Sequence, residues 1–149
     1  MHPFDYKTVV FAKHAQHVVL IHFPIALFIA GVAFDFLAQW TKRTTYAVAA
    51  YLNFTFSALS TIPVVITGIA AWQWQLEGQR LKGILLMHLV LGSISSVLIW
   101  LVWLIHRKSG RKQEGVLPGY RLPIEAVAVA IVAVTGHLGG FLSGVNGPG

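Results

Sequence analysis

Four of the seven histidines stand near the ends of long apolar runs: His17 and His22 in HVVLIHFPIAL, His88 in MHLVLG and His137 in TGHLGG. Two neutral imidazoles from opposing membrane helices can hold a b-type haem by axial coordination, with the apolar macrocycle filling the bundle. Three or four imidazoles can instead hold copper or zinc, commonly with carboxylates that fix the ring tautomers. Asp5 and Glu77 are the chief carboxylates on the histidines' side, and neither falls inside an apolar run, so haem is the better-supplied chemistry. A lone imidazole bonded to a carbonyl at the interface is the ordinary case, and His2 and His14 read that way.

The elements that must carry these side chains are transmembrane helices. The chain is 56% hydrophobic and 11% charged, with a mean hydropathy of +0.68, well outside the composition of a soluble domain. It contains no cysteine, which excludes disulfides, thiolate metal sites, iron–sulfur clusters and a covalently attached c-type haem. Four segments, about 18–40, 47–74, 84–105 and 123–142, have the roughly 20-residue length needed to cross the hydrocarbon layer. Only helices satisfy the backbone there without strand alternation. The expectation is an all-α, up-down-up-down four-helix membrane bundle, one domain over residues 1–149. No internal repeat is evident, and the first segment reads as a retained helix and not as a cleaved leader. Pro24 falls near the start of the first span, and Pro63 inside the second should kink it.

Cations set the orientation. Lys42, Arg43, Arg107, Lys108, Arg111, Lys112 and Arg121 flank one end of the spans, against Lys7, Lys13, Arg80 and Lys82 at the other. The first end should be cytoplasmic, leaving both termini in the periplasm of a bacterial inner membrane. Topology, and not nucleic acid, thus accounts for the net charge of +6. On this layout His22 and His17 open the first span, His88 lies early in the third, and His137 comes after roughly 20 Å of travel along the fourth. All four reach the periplasmic half, where polar groups should face the interior and find partners. His17 and His22, five residues apart, differ by about 140° in direction and should not serve one iron from the same face.

Gly92 shares a helix face with His88, and Gly136, Gly139 and Gly140 surround His137. Glycine there admits either a close helix or a flat macrocycle. His106 shares the face of His88 but emerges at the cytoplasmic end with no second histidine to join it, so it reads as an interfacial residue beside Arg107 and Lys108. Asp35 is the one acid well inside an apolar segment, as a proton relay or as the ion-pair partner of Arg43 or Arg121. The tryptophans fall near span ends as an aromatic belt.

The stretch HVVLIHFPIALFIAGVAFDFL, a following GIAAW, an early histidine in the third span and the terminal TGHLGG together resemble the four-helix membrane proteins grouped as domain of unknown function 2231 (DUF2231). The resemblance covers essentially the whole chain and falls most specifically on His17, His22, Asp35 and His137. Where such proteins continue with a segment like LVYxHGxG, this chain has FLSGVNGPG, with Asn146 in place of the histidine. The resemblance implies the fold and, through relatives joined to cytochrome c-type modules, electron transfer at the periplasmic face.

The sequence therefore reads as an integral b-type cytochrome, or the haem-carrying anchor of a respiratory complex, and more as an electron-transfer subunit than as a stand-alone enzyme. It would carry one haem b, or two, with iron ligands drawn from His22, His88, His137 and His17 and the ring admitted by Gly92, Gly136, Gly139 and Gly140. Its expected partners are lipid, the quinone pool and a larger membrane or periplasmic redox complex, such as one with a cytochrome c or a dehydrogenase. The alternatives are a non-catalytic structural subunit and a histidine copper or zinc site.

Overall fold

The computed structural model describes residues 15–74, 76–110 and 119–144. His2, His14 and Asn146 lie outside them. Within them the chain is helical: α1 (Ala15–Leu20), α2 (His22–Thr41), α3 (Thr44–Trp74), α4 (Gly83–Gly110) and α5 (Arg121–Leu142). The first two form one span, Gln16–Thr41, and four helical stretches are long and apolar enough to cross a membrane. The break at Ile21 has a local cause: Pro24 has no amide hydrogen to give the Leu20 carbonyl, so the helical ladder is interrupted there. Pro63 leaves α3 continuous from Thr44 to Trp74. Lys42, in the left-handed conformation at φ 58°, closes α2 by donating its amide to Ala38 and turns the chain straight into α3.

All four spans differ by one to three residues at one or both ends from the sequence expectation, and two of the shifts fall beside candidate residues. The first begins at Gln16 and not at Val18, and the fourth begins at Arg121 and not at Pro123. The second shift matters, because it moves Arg121 from a solvent loop to the first residue of a helix, where it is 2% exposed. Its guanidinium meets Asp35 there, and that pairing explains the burial.

The first span packs chiefly against the second, and the third against the fourth. Phe28, Ala50, Phe54, Ala58, Ile99, Val102, Ala128 and Val132 form the core. Phe54 sits over Gly31 so closely that a Cβ there would be 2.7 Å from its ring. The outward faces remain apolar, with Phe23, Phe36, Phe56, Ile66 and Val97 all exposed, as a lipid-facing surface requires.

The two helical pairs share one pattern of burial, a repeat that the side-chain types largely conceal. A shift of 71 residues takes the buried positions Pro24, Phe28, Gly31 and Asp35 onto Ser95, Ile99, Val102 and His106, all buried (24 to 95, 28 to 99, 31 to 102, 35 to 106). The same shift takes Ala50, Phe54, Ser57 and Thr61 onto Arg121, Glu125, Ala128 and Val132, again all buried (50 to 121, 54 to 125, 57 to 128, 61 to 132). Contacts between the halves are reciprocal. Phe54 meets His106, and their counterparts Glu125 and Asp35 lie together. Two parallel repeats facing each other across an axis along the membrane normal are an established membrane architecture.

Candidate functional site

At the end where the first and third spans begin, the two halves bring the rings of His17 and His88 together, edge to face. Their ring centroids are 6.5 Å apart and their planes stand at 87°. Each ring is held by the second helix of its own half. Nδ1 of His17 donates to the Val64 carbonyl at 3.1 Å, 47 residues away, with Thr67 Oγ1 at 3.3 Å. Nδ1 of His88 donates to the Thr135 carbonyl, also at 3.1 Å and 47 residues away. A carbonyl can only accept, so both rings carry a hydrogen on Nδ1, and in the neutral imidazole Nε2 is then a lone pair.

Behind each ring lies a glycine one turn beyond the accepting carbonyl. A Cβ on Gly68 would fall 2.9 Å from Cε1 of His17, and one on Gly139 would fall 3.2 Å from Cε1 of His88. Histidine, carbonyl and glycine therefore obey the same shift of 71 residues (17 to 88, 64 to 135, 68 to 139). Both rings are half-buried. A backbone carbonyl on the far nitrogen is the support by which proteins fix the tautomer and direction of a metal-binding imidazole.

The remaining candidates take other places. His22 is exposed, and its Nδ1 donates at 2.7 Å to Val18 on the preceding turn. His137 is exposed, with its ring 5.0 Å from that of Phe141. A Cβ added at Gly92 or Gly136 would make only ordinary contacts, 3.8 Å to Thr135 Cγ2 and 3.5 Å to Ile25 Cδ1, and Gly140 is half-buried. Gly68, absent from the sequence candidates, was marked only by its place in ITGIAAW.

A second polar group occupies the opposite end. Arg121 Nε donates to Asp35 Oδ2 at 2.8 Å, and its Nη2 donates to Gln39 Oε1 at 3.1 Å. His106 is not interfacial: it is 4% exposed, with Nε2 2.9 Å from Oε1 of Glu125 and its ring 4.6 Å from Phe54. Glu125 is wholly buried, so Asp35 is not the sole intramembrane acid. The sequence reading missed Glu125 because it began the fourth span at Pro123, which left this acid at the edge. Ligating atoms of Asp35, His106 and Glu125 lie within 4.8 Å of one another, yet Arg121 already occupies Asp35. Nor are all the tryptophans a belt: Trp100 and Trp103 donate across to Thr61 and Thr55 of α3 at 3.0 and 3.1 Å.

Fold and sites together define a four-span helical membrane protein built from two repeats, with an imidazole pair at one end and a buried ionic cluster at the other. The chain belongs to the family of predicted membrane proteins DUF2231, whose family model matches residues 13–147. No curated protein matches it, and no solved structure does.

Proposed function

We propose that the protein is a small membrane b-type cytochrome, or a haem-carrying subunit, whose iron ligands are His17 and His88. The observation that carries this reading is the paired presentation of two imidazoles, each with Nδ1 donated to a carbonyl and Nε2 left for a ligand. The spacing fits. The two ring centroids, 6.5 Å apart, are close enough that both imidazoles could reach one metal ion held between them. The group would supply one-electron exchange. The protein's own part is to hold both rings in one tautomer and to keep their planes crossed.

The pair lies at the ends of the spans away from Lys42, Arg43, Arg107 and Lys108. By the bias of cations toward the cytoplasm, that end faces the periplasm. This location supports electron passage between membrane quinol and a periplasmic redox partner, within a bacterial inner membrane.

The test is a reduced-minus-oxidised absorption spectrum of the purified chain in detergent, with pyridine haemochrome quantification. We expect a bis-imidazole b-type signal that is lost in His17→Ala and His88→Ala and kept in His22→Ala and His137→Ala. A featureless spectrum from haem-replete cells would overturn the reading. Metal analysis of the same sample would then show whether the pair holds copper or zinc.

A further inference from the structure

The cluster at the other end of the bundle has no role in the imidazole site, and its charge accounting is unusual. Asp35, Arg121 and Glu125 are each no more than 2% exposed and His106 is 4% exposed. Oε2 of Glu125 is buried without a hydrogen-bond partner. Asp35 is matched by Arg121 across a 2.8 Å contact. If Glu125 were also ionised beside a neutral His106, the cluster would hold an uncompensated negative charge in the membrane interior, which is severely penalised.

One additional proton removes that charge. It has two places to go, Nδ1 of His106 or Oε2 of Glu125. The orphaned oxygen favours the second: with Oε2 protonated, His106 remains neutral, Nε2–H donates to Oε1, and the four side chains sum to zero. From these contacts we infer that the cluster is a proton-binding site, with Glu125 carrying one exchangeable proton and Asp35–Arg121 serving as a fixed ion pair that holds its surroundings neutral.

The groups around it support a proton over a metal ion. Among the described residues, the ionisable side chains facing Glu125 are His106, Asp35 and Arg121. The second span contributes Phe54, and the adjacent Arg107 turns away to lie 5.0 Å over the Trp103 ring. A divalent cation placed among Asp35, His106 and Glu125 would have to displace Arg121 from Asp35 or sit beside its guanidinium. A proton needs neither. In the repeat, Asp35 and His106 are counterparts, as are Phe54 and Glu125 (35 to 106, 54 to 125). Glu125 and Arg121 thus stand where the first half has the apolar Phe54 and Ala50, Asp35 and His106 are ionisable in both halves, and the imidazole site remains symmetric.

The decisive experiment is infrared spectroscopy of the full chain reconstituted in lipid at neutral pH, in H2O and in D2O. The chain has only five acidic side chains, so the carbonyl region of protonated carboxylic acids is sparsely populated. We expect one such band per chain, shifted down in D2O, moved by 13C-labelled glutamate but not by 13C-labelled aspartate, and absent in Glu125→Gln. The isotope shift is read on the unmodified chain and holds even if that variant does not fold. Absence of the band at neutral pH, or its assignment to aspartate, would overturn the inference. So would a stoichiometric divalent metal that is present in the native chain and missing from Glu125→Gln. None of these outcomes depends on whether the imidazole pair binds haem.

Discussion

His17 and His88 are the same residue of two successive repeats, and their rings stand 6.5 Å apart at 87° because each is fixed by an equivalent carbonyl in its own half. A site built this way presents its two imidazoles alike, so the proposed cofactor would meet equivalent ligands. His17→Ala and His88→Ala should therefore abolish low-spin cofactor binding to the same extent, and the double variant should be no worse than either single one. Titration of each purified apoprotein with haemin, followed at the Soret band, measures this. A tenfold or greater difference between the single variants would show that the two rings do not act as a pair.

The glycines behind the rings predict a graded effect. A methyl on Gly68 would lie 2.9 Å from His17, and one on Gly139 would lie 3.2 Å from His88. Both substitutions crowd a ring against its own half's second helix, and the first crowds it more. Gly68→Ala should lower cofactor occupancy more than Gly139→Ala, with stability losses of about 1–3 kcal/mol where the ring cannot give way. Haem content per chain and thermal unfolding in detergent test the order.

Gly31 makes a sharper case. Its Cα faces the Phe54 ring so tightly that a Cβ would be 2.7 Å from Cε1, and that ring also contacts Phe28 at 5.6 Å and His106 at 4.6 Å. Phe54 is wholly buried and has nowhere to retreat. Gly31→Ala should destabilise the bundle by about 1–3 kcal/mol, and Gly31→Ala combined with Phe54→Leu should recover part of that loss. Equal melting of the native chain and Gly31→Ala would contradict the packing.

Much of this architecture could be read from the amino acids, and the parts that could not have physical reasons. Four apolar runs of spanning length indicate four helices, because lipid leaves the backbone no alternative. Asp35 announced a need for a counter-charge, and Arg121 was one of the two bases in view. The repeat was hidden because the halves share burial and not side-chain identity: Phe28 answers to Ile99, Gly31 to Val102 and Ala50 to Arg121. HVVL and HLVL, each opening on the histidine concerned, are the short echo that remains. His106 looked interfacial because its partner Glu125 lay at the supposed edge of a span, and a side chain's depth follows from where its helix starts. Depth along the helix likewise grouped His22 and His137 with His17 and His88, but facing direction separates them.

Asp35 and Arg121 form a buried ion pair on which the stability of the bundle depends. Both are buried, joined at 2.8 Å and reinforced by the Gln39 contact to the same guanidinium. Removing one partner leaves the other as an uncompensated charge, a loss of about 3–5 kcal/mol for a buried pair. Asp35→Asn and Arg121→Gln should each lower the unfolding midpoint strongly. The double variant, which buries two neutral amides able to bond each other, should recover most of the loss, since replacing both members of a buried pair is often near neutral. Detergent-resistant folding, monitored by circular dichroism during heating, distinguishes these cases. Additive losses in the double variant would mean that each side chain is held by other contacts and that the ion pair does not neutralise the ground around Glu125.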